Sequence, residues 1–316
     1  EVDHVTVTGG EPFARKDVFR LFDAIRARGV GIQIISNGGV ITDAIAERLA
    51  PYEVYYVQVT LNGPDAALHE EHVGPGHFEP TLSGIRTLAR HGVRVGGCTV
   101  VTRKNAARVG ETLALWKSLG VSQIALSRFS PAGYAARYAA ALLPSRADLL
   151  TAFRQALPFA KEGMSIQCTM PVPPCAIEVE ELSPIRFGSC PIGTTAQEIA
   201  LGPDGALRNC TLSKSALGGV RDVLDPAVDV VALLEAPERS EYRRKLPSFC
   251  VGCVHANTCA GGCGAASEWV LGHARAFPDP FVWQHVDDDF AARLDRERSA
   301  PRSSRSDDKR RLEVLL

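Results

Sequence analysis

The sequence predicts an α/β fold built on a parallel sheet, followed by a small cysteine-rich domain. Three observations carry that prediction. Short apolar runs alternate with amphipathic helical stretches about five times in the first half, and parallel strands need crossovers of that kind. Each strand-like run ends in a polar turn, most of them bearing glycine. Past residue 165, prolines and cysteines replace the helical periodicity.

Taken in order, Val5–Thr8 reads as a strand that stops at Gly9-Gly10. Asp17–Arg28 reads as a helix, with Val18, Leu21, Phe22 and Ile25 at helical spacing and Gly29 ending it. Gly31–Ser36 is the next strand, Asp43–Leu49 a helix and Val54–Leu61 a third strand. Thr81–His91 is helical, Val93–Val101 a strand, and Arg108–Leu119 a helix closed by Gly120. Ser122–Phe129 and the helix Arg146–Lys161 complete the pattern. The strand-end turns are Gly9-Gly10-Glu11, Ser36-Asn37-Gly38, Thr60-Leu61-Asn62-Gly63 and Thr102-Arg103-Lys104-Asn105. Any one of them could be an ordinary turn, but sheets of this kind bind ligands at the carboxyl ends of their strands.

Composition narrows the partners. Lys and Arg total 35 and Asp and Glu 36, for a net charge of −1, so nothing electrostatic favours nucleic acid or an anionic membrane. No apolar run reaches membrane-spanning length and no signal peptide is visible, so the expected location is the cytoplasm. The nine cysteines are clustered, four of them within Cys250–Cys263, and close thiols in such a chain point to metal rather than disulfides. Cys98 reads as a buried apolar residue, and Cys168 has no assigned role.

The string Cys250-x2-Cys253-x5-Cys259-x3-Cys263 is the strongest single signal. Thiolates are soft ligands for iron–sulfur clusters or zinc, and Gly252, Gly261 and Gly262 let the backbone wrap tightly. Upstream stand Cys190, the hairpin turn Pro203-Asp204-Gly205, and Cys210. Two close thiol pairs would also suit a zinc ribbon.

Together, Cys190, Gly205-x4-Cys210 and the Cys250–Cys263 string resemble the SPASM domain of radical S-adenosylmethionine (SAM) enzymes. The front half is similar to the same superfamily. Val7-Thr8-Gly9-Gly10-Glu11-Pro12 resembles its motif for the methionine amino group, and Ser36-Asn37-Gly38 its next strand-end turn. Val59–Gly63, with His69 behind it, resembles the turn near the ribose and carboxylate, and Arg128 falls at a further family-like strand end.

The resemblance implies a partial (β/α)6 TIM-like barrel lacking its first strand, over residues 1–163. A bridging segment over 164–189, a SPASM domain with a β-hairpin over 190–292, and a disordered tail over 293–316 would follow. Gly9, Gly10, Glu11, Ser36, Asn37, Thr60, Asn62 and Arg128 would bind SAM. Cys250, Cys253 and Cys259 would hold one auxiliary [4Fe–4S] cluster, and Cys190, Cys210 and Cys263 the other. Each set would have one position to fill, by Cys175, Asp279, His255, His273 or a substrate. The superfamily's Cys-x3-Cys-x2-Cys loop, which holds the radical-generating [4Fe–4S] cluster, would precede Gly9, but no cysteine comes before Cys98. That cluster is therefore expected only with a missing N-terminal segment, and this chain alone is expected to be inactive.

The complete enzyme would make a 5′-deoxyadenosyl radical for hydrogen abstraction, with flavodoxin or ferredoxin as reductant. Its expected task is modification of a peptide of the ribosomally synthesised class or of a protein. Tailoring of a small molecule or tetrapyrrole cofactor is the rival within enzymes. A non-catalytic iron–sulfur or zinc protein is the rival outside them.

Overall fold

A computed structural model describes residues 2–194, 196–235, 242, 246–274 and 278–283 of the chain. The tail expected over 293–316 lies outside the described residues, as does part of 190–292. The described residues within Glu1–Ser127, Asp148–Cys168 and Leu182–Arg186 make one compact unit, and those within Arg128–Ala147, Thr169–Glu181 and Phe187–Leu316 a second.

The first unit is built on the predicted alternation. Its strands are β1 (His4–Val7), β2 (Gly31–Ser36), β3 (Val57–Thr60), β4 (Val95–Val101), β5 (Gln123–Arg128), β6 (Ser165–Cys168) and β7 (Arg186–Phe187). They form a seven-stranded sheet in chain order, and the pairings β1–β2, β2–β3, β3–β4 and β5–β6 are parallel. Strands laid down in sequence order with helical crossovers make a partial (β/α) barrel. Its helices are α1 (Val18–Arg26), α2 (Asp43–Leu49), α3 (Ala66–Val73), α4 (Phe78–Arg90), α5 (Val109–Ser118) and, after the second unit's α6 (Ala139–Leu142), most of α7 (Arg146–Lys161).

Packing follows the periodicity. Helix α1 buries Val18, Phe19, Phe22 and Ile25. Phe22 lies edge-on to Phe13, Phe19 and Tyr52, and each such ring pair adds about 0.5–1.5 kcal/mol beyond area burial. At Gly97 in β4 the indole of Trp116 comes so close that a Cβ would stand 2.9 Å from it. Trp116 is fully buried, and its Nε1 donates to Thr99 Oγ1 at 3.0 Å. Thr99 in turn donates to the Leu61 carbonyl at 2.8 Å, so core packing fixes the turn that follows β3.

Three details differ from the expectation. Strands β6 and β7 are additional; at four and two residues they are too short to show alternation. Helix α3 is also additional, capped by Asp65, whose carboxylate accepts from Leu68 N at 3.0 Å. Helix α4 begins three residues early because Glu70 of α3 accepts from Phe78 N at 3.1 Å, a cap that local sequence cannot reveal.

In the second unit, β8 (Ala200–Leu201), β9 (Ala206–Arg208) and β10 (Ala216–Gly219) form a three-stranded antiparallel sheet. Pro203-Asp204-Gly205 makes the predicted hairpin, with Gly205 at φ +76°. The helices α8 (Val220–Leu224), α9 (Val230–Glu235), α10 (Ala256–Cys259), α11 (Gly264–Leu271) and α12 (Pro280–Trp283) are short. Ile192, Tyr242, Cys263, Ala265, Ala266 and Ala274 form a small core, against which Cys190 and Cys210 pack.

Candidate functional site

The first unit gathers polar groups at the carboxyl ends of its strands. Glu11 follows β1, and its carboxylate accepts from Phe13 N at 3.1 Å, Ser36 Oγ at 2.9 Å and Asn37 N at 2.7 Å. One side chain thus ties the ends of β1 and β2 together. Gly9, at φ +151°, and Gly10 both have open space where a Cβ would project. Their lack of a side chain leaves the strand end clear for a ligand rather than serving a packing contact. Asn37 is exposed, with its Oδ1 accepting from Gly39 N at 2.8 Å. A carboxylate held by neutral donors beside open backbone can receive an ammonium group.

The turn after β3 is bound more tightly. Asn62 Oδ1 accepts from Val100 N at 3.0 Å, and Asn105 Nδ2 donates to the Asn62 carbonyl at 2.9 Å. Asn62 N donates to His69 Nδ1 at 3.2 Å. Thr60 ends β3 and hydrogen-bonds the buried Cys98, whose thiol burial pushes up to about 11. Asn105 and His69 therefore shape this turn. The signal for Asn105 was its place in the fourth strand-end turn.

His69 is 2% exposed, and burial holds its pKa down to about 4 from 6.5. Its Nδ1 accepts a backbone N–H, so protonation would set donor against donor. Above pH 6.5 folded and unfolded chains are both neutral here. Between 6.5 and about 4 only the unfolded chain takes up the proton, so stability falls by about 1.4 kcal/mol per pH unit across that window. Urea midpoints of the wild type should drop between pH 7 and pH 5 more steeply than those of His69→Gln; equal slopes would exclude this role.

The second unit contains all six candidate ligand cysteines, and none of the chain's nine cysteines is in a disulfide. Cys210 is pushed up to about 11, first by burial and further by the charges of Cys263 and Cys190. Cys259 is raised by burial and, more weakly, by Asp279 and Cys253. Cys190 and Cys210 pack against the small core that holds Cys263. Cys250 is buried, its Sγ 3.6 Å from where a Cβ on Gly261 would lie. Among the described residues, no three of His, Cys, Asp and Glu converge closely enough to hold a single metal ion.

The loop between Cys259 and Cys263 runs through Ala260, Gly261 and Gly262 at φ +49°, +80° and +82°. Three consecutive left-handed residues turn the chain sharply between Cys259 and Cys263. A Cβ on Gly262 would stand 2.7 Å from Asp279 Cβ. Soft thiolates on so tight a loop fit iron–sulfur clusters.

Asp279 and Arg128 anchor this loop. Both are almost fully buried, and they pair through Arg128 Nη2 and Asp279 Oδ2. Asp279 also accepts from Cys263 N and Phe281 N, each at 2.9 Å, and its own N donates to the Gly261 carbonyl at 2.8 Å. Arg128, expected at a cofactor, directs its Nε and Nη2 at the Pro171 carbonyl, at 3.1 and 2.8 Å. Sequence reading could not foresee a pair 151 residues apart.

Comparison with known proteins follows from this geometry. Residues 1–115 match the family model of the radical SAM superfamily. Over that stretch, about a third of the chain, it is similar to that superfamily. Proteins of that superfamily use SAM and iron–sulfur clusters. Over 134 residues the chain is 33% identical to the mycofactocin maturase MftC of Mycobacterium tuberculosis, covering 42% of this chain. That stretch is 34% of the maturase's own length. MftC of Mycobacterium ulcerans is 26% identical over 96% of this chain and 80% of that protein. The AdoMet-dependent heme synthase of Methanosarcina barkeri is 33% identical over 36% of this chain and 33% of its own length.

Among solved structures, anSMEcpe with bound AdoMet and the Cp18Cys peptide superposes with a TM-score of 0.64 at 16% identity, over 95% of this chain and 87% of that one. Streptococcus suis SuiB bound to the precursor peptide SuiA gives 0.66 at 16%, over 87% and 64%. Both likenesses speak to the fold. No helix among the described residues is long and apolar enough to cross a membrane.

Proposed function

We propose that the chain supplies the SAM-binding barrel and two auxiliary-cluster sites of a maturase that modifies a peptide. The observation that carries this is the left-handed loop between Cys259 and Cys263, with Cys190 and Cys210 packed against the core that holds Cys263. Cys190, Cys210 and Cys263 would hold one cluster, and Cys250, Cys253 and Cys259 the other. Glu11, held by Ser36 and Asn37, would receive the methionine ammonium, with Gly9 and Gly10 giving backbone access. Asn62 and Thr60 would line the ribose side, on the turn fixed by Asn105 and Trp116. When bound, SAM and the clusters supply one-electron chemistry that ends in hydrogen abstraction from the substrate.

The peptide reading is supported by likeness to MftC, a maturase, and to SuiB, solved with a precursor peptide. A second reading, tetrapyrrole tailoring, is supported by the stretch shared with the heme synthase. Titration with a leader-bearing precursor peptide and with a porphyrin separates them: binding of the porphyrin alone would favour the second. A flavodoxin or ferredoxin in the cytoplasm would supply electrons.

These 316 residues hold no Cys-x3-Cys-x2-Cys loop, and the first cysteine is Cys98. Assayed by itself after anaerobic reconstitution and reduction, the chain should release no 5′-deoxyadenosine above background. A chain carrying that loop ahead of Val2 should release it. Robust release by the 316 residues alone would refute the assignment of roles.

A further inference from the structure

Helix α4 meets the Ser36-Asn37-Gly38 turn with two residues that no strand-end motif contains. Thr81 is 2% exposed, and its Oγ1 donates to the Asn37 carbonyl at 3.0 Å. A threonine hydroxyl inside a helix ordinarily turns back to a carbonyl three or four residues earlier. This one crosses to a different element, 44 residues away in sequence. Gly84 lies on the same helix, where a Cβ would stand 2.0 Å from the Gly38 carbonyl oxygen. Glycine weakens a helix interior, and here it makes room for that approach.

The turn is held from three directions. Gly38 stands at φ +78°, and a Cβ on it would be 2.9 Å from Val59 Cγ1 on β3 and 3.6 Å from Thr81 Cγ2 on α4. Gly38 N donates to Ser36 Oγ at 3.0 Å, and Ser36 Oγ donates to Glu11 Oε1 at 2.9 Å. Asn37 is pinned through both of its peptide groups. Its N donates to Glu11 Oε2 at 2.7 Å, and its carbonyl accepts from Thr81. Without the hydroxyl, the peptide after Asn37 is free to rotate, and the amide that holds Glu11 loses its fixed direction.

We propose that Thr81 and Gly84 are positioning residues for the amino-acid end of the bound nucleoside. They seat the Ser36-Asn37-Gly38 turn so that the Asn37 amide holds the Glu11 carboxylate where an ammonium group reaches it. This rests on the reading of Glu11 as the acceptor of the methionine ammonium.

Equilibrium dialysis of the 316-residue chain tests it with two probes. S-adenosylhomocysteine carries the amino-acid end of SAM, and 5′-methylthioadenosine lacks it. Wild type should bind the first more tightly, and Glu11→Gln should erase that preference. Thr81→Val removes the hydroxyl and keeps the side chain's shape. It should weaken S-adenosylhomocysteine about fivefold, the weight of one neutral hydrogen bond, and leave 5′-methylthioadenosine unchanged. Thr81→Ser should restore most of the loss. Gly84→Ala, whose Cβ must displace the Gly38 carbonyl, should lose S-adenosylhomocysteine selectively as well. Equal weakening of both probes by Thr81→Val would mean that the residue only supports the fold, and would overturn the proposal. So would an unchanged preference in Thr81→Val beside a lost one in Glu11→Gln, with the reading of Glu11 left standing. If wild type shows no preference, or Glu11→Gln keeps it, the reading of Glu11 itself fails. Should Thr81→Val not fold by circular dichroism, Gly84→Ala decides by the same comparison.

Discussion

Replacing Asp279 with alanine should destabilise the second unit by about 3–5 kcal/mol, because it leaves the Arg128 guanidinium buried without its counter-charge. The same change removes the acceptor for Cys263 N and Phe281 N. Iron loading should fall with stability, since the amide that orients Cys263 goes free. A double variant, Arg128→Met with Asp279→Leu, should recover much of the lost stability, because it removes the unpaired charge along with its partner. Urea unfolding of the three proteins measures this. An Asp279→Ala protein within about 1 kcal/mol of wild type would mean that the pair is not an anchor.

The second large effect is expected at Gly262. Alanine there would have to hold φ +82°, which costs an L-residue about 1–2 kcal/mol, and its Cβ would press on Asp279 and Pro173. Overpacking of that kind adds roughly 1–3 kcal/mol. The expected total is about 2–5 kcal/mol, with the Cys259–Cys263 loop displaced and iron lost from both sets. Gly252→Ala is the control: its φ is +83° but no atom lies within 4 Å of the added Cβ, so only the backbone strain should appear. Equal losses in the two variants would show that the contact with Asp279 carries no weight.

Much of the fold was legible because its signals are local. The α1 stripe of Val18, Phe22 and Ile25, the Pro203-Asp204-Gly205 hairpin and the strand Gly31–Ser36 follow from periodicity and turn chemistry within a few residues. What escaped was non-local. Helix α4 takes its cap from Glu70 on the preceding helix, and Arg128 finds Asp279 far along the chain. Among the site residues, Glu11, Ser36 and Asn37 could be read from strand-end turns, and the structure joins them in one hydrogen-bonded group. The cysteine spacing suggested two sets by resemblance, but nothing local in it could place the buried Arg128–Asp279 pair beside the loop between Cys259 and Cys263.

Iron, acid-labile sulfide and zinc analysis of the anaerobically reconstituted chain bears most directly on the claim that its six spaced thiols gather around iron. Two four-iron clusters would give about eight irons per chain with matching sulfide. One zinc and no iron per chain would contradict it.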